Sequence, residues 1–324
     1  MFRSLFKTLG CRWQMMMKPS TPRNMADKTN GAPLPPKPTP LNDADCCDSG
    51  CETCVKDIYL QELKIWEEEC NKLLLAQAPR SSLSPDVYMK CPLVCLDQLT
   101  HNTYLYTFDS RGFVQINPGQ HLILREVVDG ATVTRQYTPI AVPRAEDHTF
   151  KVMIKMYDHG TMTSHIKRKW KLGDEMDWRG PHGLFQHQCN QYMKYVILAA
   201  GTGIAPMLRV AQSILNDDND ITTIKLLYAC KNYEDILLKD ELRALAQHWN
   251  FTFTTYLSQD VDGDLKRGYG ENVVARKLES DDILSQLSNK QSTRILISGT
   301  KEYDTAMLQH CQLLQIPSEN IYKF

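Results

Sequence analysis

Arg135-Gln136-Tyr137-Thr138-Pro139 closes a strand-like run and gathers a fixed cation, an aromatic ring and a hydroxyl in one short segment. A flavin dinucleotide uses all three: a guanidinium for its pyrophosphate, an aromatic or apolar face for its ring system, and hydrogen bonding at the ring edge. Taken alone, the segment reads more simply as an exposed Arg beside a core Tyr. Gly160-Thr161-Met162-Thr163-Ser164 precedes a predicted helix, where free backbone amides suit a phosphate or a plain N-cap equally well. Gly201-Thr202-Gly203-Ile204-Ala205-Pro206 lies between an apolar run and a helix. Its glycines permit close backbone approach by a dinucleotide, though the spacing is not the Rossmann fingerprint and a structural turn has the same composition.

Two kinds of element must position these segments. Residues 85–188 carry short strand-length runs (Tyr104–Phe108, His121–Val128, Thr132–Tyr137, Phe150–Tyr157) punctuated by turns such as Asp129-Gly130, which predicts an all-β region. Over residues 192–324 strands alternate with helices: Tyr195–Ala200, a helix from Pro206, Ile224–Ala229, a helix from Lys239, Phe251–Leu257, a helix from Glu271, and Arg294–Ser298. That alternation predicts a parallel sheet with helices on its faces. The fold class is therefore a β-barrel followed by an α/β nucleotide-type domain.

The chain's 324 residues are ample for more than one core, and 42 % hydrophobic with 23 % charged residues is ordinary soluble usage. Its apolar runs are far short of a bilayer span. A formal net charge of -1 without a basic stripe argues against nucleic acid as a partner. Residues 1–32 form a basic leader: Arg3, Lys7, Arg12, Lys18 and Arg23 come before any acid, with Phe2, Leu5, Phe6 and Leu9 at helical spacing. It resembles a mitochondrial presequence, and a disordered basic tail fits equally. With no signal-peptide core and 11 cysteines, of which Cys46, Cys47, Cys51 and Cys54 crowd one stretch, a reducing intracellular compartment is expected, mitochondrial or cytoplasmic, with membrane association left open. Prolines from Pro33 to Pro40 mark an extended linker, and Asp57–Leu75 a helix.

Arg-x-Tyr-Thr-Pro at 135–139, the 160–164 loop, Trp178-Arg179-Gly180-Pro181-His182-Gly183-Leu184 and Gly-Thr-Gly-Ile-x-Pro-Met from Gly201 occur in the order of the ferredoxin-NADP reductase superfamily. Within it the chain is most similar to the NADH-cytochrome b5 reductases, with further agreement at Pro118-Gly119-Gln120-His121, Asp235-Ile236-Leu237-Leu238 and the terminal Phe324, from about Tyr88 onward. The resemblance implies an antiparallel Greek-key barrel that binds FAD. Arg135 would contact the pyrophosphate. Tyr137, Thr138 and Pro139 would border the isoalloxazine, Ile154, Lys155 and Tyr157 would line it, and Gly160, Thr161, Met162, Thr163 and Ser164 would hold phosphate. It also implies that Gly201, Thr202, Gly203 and Pro206, with Gly299, admit the nicotinamide, so that hydride passes directly to flavin with no side-chain acid or base.

Three departures stand out. Ser298-Gly299-Thr300-Lys301 replaces the family's Cys-Gly-Pro-Pro, and the loop between Tyr157 and Gly160 is short. Ser258 stands where the family's acidic residue favours NADH, which leaves NADPH open. The expected acceptor is cytochrome b5 or a similar haem protein. A quinone or other small acceptor, or a non-catalytic flavin-bound scaffold, are the alternatives. Residues 33–78 resemble the short oxidoreductase-like module, in which Cys46, Cys47, Cys51 and Cys54 could bind zinc or an iron-sulfur cluster or serve as a redox pair.

Overall fold

The structure, a computed structural model, describes residues 36–40, 59–67, 70, 82–140, 148–260 and 271–324. The basic leader and the cysteines at 46, 47, 51 and 54 lie outside these residues. The chain divides into two units, Met1–Arg80 and Ser81–Phe324. In the first, residues 59–67 are helical, within the helix expected there, and Lys37 Nζ sits 5.4 Å from the centroid of the Trp66 ring.

The second unit opens with a six-stranded antiparallel sheet in the order β4-β3-β6-β1-β2-β5. Its strands are β1 (Met89–Gln98), β2 (Thr103–Asp109), β3 (His121–Val128), β4 (Ala131–Tyr137), β5 (Thr149–Lys155) and β6 (Glu175–His182). The β3–β4 hairpin turns on Asp129 and Gly130, both at positive φ (50° and 81°), the geometry of a two-residue turn that follows the strand twist. This hairpin fixes the register that carries Arg135 and Tyr137. Beyond β4, a bridge from Pro139 to Val152 brings the two edge strands of the sheet toward each other. Inside, Trp178 is fully buried, with its ring 5.0 Å from Phe108 and 5.2 Å from Phe150. Helix α1 (Thr161–Lys169) buries Met162 and Ile166 in this core.

The second sheet is parallel throughout, in the order β10-β9-β8-β7-β11-β12. It contains β7 (Lys194–Ala200), β8 (Thr223–Cys230), β9 (Phe251–Leu257), β10 (Val273–Val274), β11 (Thr293–Ser298) and β12 (Ile321–Lys323), with helices α2 (Ile204–Leu215), α3 (Lys239–Leu245), α4 (Ser280–Leu284) and α5 (Lys301–Leu313). From Tyr195 to Ala200, β7 is a continuous apolar run because both of its faces are covered. The helix expected from Glu271 does not form. Val273 and Val274, β-branched and suited to a pleated ladder, pair with Thr255 and Tyr256 instead. The helix waits until Ser280, where Glu279 and Asp282 make a reciprocal capping box.

The two sheets share a core in which Leu105, Ile140 and Met153 of the antiparallel half pack with α2 and β7. Arg209 of α2, 3 % exposed, donates to the Ile116 carbonyl at 2.8 Å and so ties the helix to the antiparallel half. Burial pulls its pKa down to about 10, so the guanidinium keeps its proton at neutral pH.

Candidate functional site

The C-terminal ends of the parallel strands meet the open side of the antiparallel sheet, and two cavities form there. The first, of about 440 Å³, is lined by Arg135, Tyr137 and Thr138 from the end of β4, by Ile154, Lys155 and Tyr157 from the end of β5, and by Gly160 to Thr163 at the start of α1. Thr202, Gly203, Pro206 and Gly299 close it from the parallel half. The second, of about 790 Å³, runs along the strand ends past Gly201, Cys230, Lys231, Ser258, Lys277 and Tyr303. Lys155, Tyr157, Thr202 and Gly299 line both.

Local sequence explains the shape of the first cavity. The first backbone bond of α1 runs from Ser164 N–H to the Gly160 carbonyl (2.8 Å), so the amides of Thr161, Met162 and Thr163 are left without helical partners. No acidic residue occupies that turn, and no side chain caps it. The Thr163 hydroxyl is used internally, donating to the Tyr157 carbonyl at 3.1 Å and holding the loop in place. Across the cavity, the Arg135 guanidinium is exposed and donates to the Thr134 carbonyl (2.7 Å), its one hydrogen bond among the described residues. Three amides without helical partners and a guanidinium that spends one hydrogen bond on its own strand line the same cavity, a donor set that fits the pyrophosphate of FAD. Tyr137 supplies the aromatic face. Burial pushes its pKa up to about 12, against the pull of Arg135, so it remains a phenol at neutral pH. Burial and the neighbouring His182 hold His121, also on this cavity, below the usual imidazole range.

In the parallel half, β7 leads into a single 3-10 turn, Gly201–Gly203, before α2. Gly201 has φ of 52°, and a Cβ on Gly203 would overlap the Ser298 carbonyl, so the helix approaches β11 this closely only with glycine present. Pro206 falls in the first turn of α2, where its missing amide costs nothing. Cys230 lines the second cavity as a neutral thiol, its pKa pushed up to about 12 by burial.

Most of the residues singled out from sequence converge here, and four lie elsewhere or differently. Pro139 is buried behind the first cavity in the bridge to Val152. Ser164 lies outside it, with its amide given to Gly160 and its hydroxyl to the Asp158 carbonyl at 3.3 Å. Gly201 and Ser258 line only the second cavity. Sequence reasoning passed over Lys231, Lys277, Tyr303 and His310 in that second cavity. The available signal was position, since Lys231 directly follows β8, at the edge where open α/β sheets bind ligands.

The architecture and the donor set define a flavin- and nicotinamide-dependent oxidoreductase. An oxidoreductase FAD-binding domain matches residues 90–187, an oxidoreductase NAD-binding domain residues 197–310, and the N-terminal domain of oxidoreductase-like proteins residues 28–74. The NADH-cytochrome b5 reductase-like protein of Homo sapiens is 36 % identical over 311 residues, 93 % of this chain and 98 % of the relative. Its Mus musculus namesake is 38 % identical over 237 residues, 69 % of this chain and 74 % of the relative. The chain belongs to this NADH-cytochrome b5 reductase family. Among solved structures, the cytochrome b5 reductase domain of Ulva prolifera nitrate reductase has the same fold, with a TM-score of 0.65 at 21 % identity, covering 76 % of this chain and 100 % of that one.

Proposed function

We propose that the chain oxidises NADH in the second cavity and passes the electrons, through FAD held in the first, to a haem protein such as cytochrome b5. The observation that carries this reading is the shared lining: ligands in the two cavities would meet at Lys155, Tyr157, Thr202 and Gly299. FAD, when bound, takes electrons as a hydride and gives them up singly, which is what a one-electron haem acceptor requires. The chain's own contribution is placement and electrostatics. Arg135 and the amides of Thr161 to Thr163 anchor the pyrophosphate. Tyr137, Thr138 and Ile154 border the ring system, with Pro139 bracing the strand end behind them. Gly201 to Gly203 let the coenzyme come close, and Ser258 meets its adenosine ribose. Holding both partners at contact distance replaces an encounter in solution, so no general acid or base is needed. The leader and the clustered cysteines, Cys46, Cys47, Cys51 and Cys54, are assigned to location or partner choice and not to electron flow.

The acceptor is tested by mixing the FAD-loaded full chain with NADH and, separately, oxidised cytochrome b5, ubiquinone and ferricyanide. The expected result is haem reduction that saturates with cytochrome b5 concentration. Ready quinone reduction with no haem reduction would overturn the haem assignment.

A further inference from the structure

The far end of the second cavity is basic. Parallel strands β8, β9 and β10 are neighbours in the sheet, and from their C-terminal ends emerge Lys231, Ser258 and Lys277, all three on the cavity wall. The ladder continues past the strand ends: Ser258 N–H donates to the Cys230 carbonyl at 3.1 Å and Gln259 N–H to the Lys231 carbonyl at 2.9 Å. This holds Ser258 beside the Lys231 end of β8, and the chain leaving β10, the neighbour of β9 on the other side, brings Lys277 to the same cavity. Neither lysine has an ion-pair partner among the described residues, whereas the nearby cation Arg276 is already forked onto Asp282 at 2.6 and 2.7 Å.

Two described acids close to these strand ends are engaged elsewhere. Asp260 accepts from Tyr233 N–H at 2.9 Å, and Asp282 holds Arg276. Asp235 is the one carboxylate lining the cavity among the described residues, and it lies 3.5 Å from His101 of the β1–β2 turn. A dinucleotide whose nicotinamide lies where the cavities join, at β7, must extend across β8 toward β9. Two strand spacings of roughly 4.8 Å carry it far enough to bring the adenosine ribose over Ser258. A carboxylate there would bind the ribose diol and repel a 2'-phosphate. A hydroxyl flanked by two ammonium groups with no ion-pair partner among the described residues does the opposite.

We propose that Lys231 and Lys277, with Ser258 between them, form a 2'-phosphate subsite, so that the enzyme accepts NADPH as well as NADH. The proposal rests on the second cavity being the coenzyme site. It is tested on the FAD-loaded full chain by measuring kcat/KM for both coenzymes with ferricyanide, and by inhibiting the NADH reaction with AMP and with 2'-phospho-AMP. The wild type should use NADPH within about tenfold of NADH, and 2'-phospho-AMP should inhibit at roughly a tenth of the AMP concentration, the effect of one charge-assisted contact. Lys231→Ala and Lys277→Ala should each lower the NADPH:NADH ratio by about tenfold, and Ser258→Asp by more, since it adds repulsion. FAD retention checks that each variant is folded, and the inhibitor comparison needs no variant at all. Absence of NADH activity in the wild type would defeat the underlying coenzyme reading. NADH activity with equal inhibition by the two nucleotides, or an unchanged ratio in Lys231→Ala and Lys277→Ala, would overturn the lysine subsite alone.

Discussion

Removing the Arg135 guanidinium takes one charged donor from the first cavity and leaves the free amides of α1 in place. A charge-assisted contact to phosphate contributes about 1.5–3 kcal/mol, so Arg135→Ala should weaken FAD binding roughly ten- to a hundredfold. Flavin content after dialysis measures it, and full occupancy in the variant would rule out the role. Gly203→Ala meets a different obstacle. Its new methyl would overlap the Ser298 carbonyl, pushing α2 away from β11 and costing about 1–3 kcal/mol as overpacking does. A lowered melting temperature together with a raised KM for NADH is expected. Arg135, Tyr137 and Thr138 were legible in the sequence because they follow one another along a single strand end, where chemistry and spacing appear together. Lys231 and Lys277 were not, because only the strand order β10-β9-β8 places them either side of Ser258. Ser164 was overread: being a hydroxyl residue at a helix start does not reveal that its amide is already bonded to Gly160.

At the scale of elements, the start of α1 carries a conflict that an experiment can expose. Thr161→Glu puts a carboxylate in the first turn, which favours the helix by about 0.3–1 kcal/mol through its dipole but repels a phosphate in the same place. The apo-protein should melt no lower than the wild type while FAD affinity falls. Unchanged affinity would mean that the amides do not face the pyrophosphate. A second test lies at the N-terminal ends of β7 and β8, where the segment joining the two sheets is pinned. The Asp220 carboxylate accepts from His187 Nε2 at 2.5 Å and from Thr222 N–H at 3.0 Å. An ionised carboxylate can only accept, so Nε2 carries a proton toward it, and Nδ1 lies 2.7 Å from the Tyr195 hydroxyl. Burial pushes the Asp220 carboxyl up, but the hydrogen bonds from Thr222 and His187 outweigh it and hold it below the ordinary carboxylate range. A depressed folded-state pKa contributes stability that is present above the unfolded value and lost as pH falls through the folded one. Asp220→Asn should therefore lower the melting temperature at neutral pH, with the gap to wild type closing below about pH 4. A gap that stays constant through that range would exclude the ion's contribution. The strands were readable from period and turn chemistry, as at Asp129-Gly130. The segment after Glu271 was not, because the identity of its neighbour β9, invisible locally, decides for the ladder over the helix.

Across the whole molecule, every residue assigned to flavin or coenzyme belongs to the unit Ser81–Phe324. Deleting residues 1–78 should leave NADH-dependent ferricyanide reduction nearly intact, while changing location or haem-partner kinetics. Loss of ferricyanide reduction in a folded, FAD-loaded truncation would give the cysteine module a part in electron transfer. The order of motifs made the architecture readable because each marks the end of a different strand. The pairing of two cavities across Lys155, Tyr157, Thr202 and Gly299 required the packed halves, since these residues come from β5 and its loop, the turn after β7 and the end of β11. That pairing is the central claim, and anaerobic stopped-flow mixing of the FAD-loaded chain with NADH tests it most directly. The account predicts loss of the oxidised-flavin absorbance at a rate that saturates with NADH concentration, followed by its return when oxidised cytochrome b5 is added. A flavin that stays oxidised in the presence of saturating NADH would contradict it.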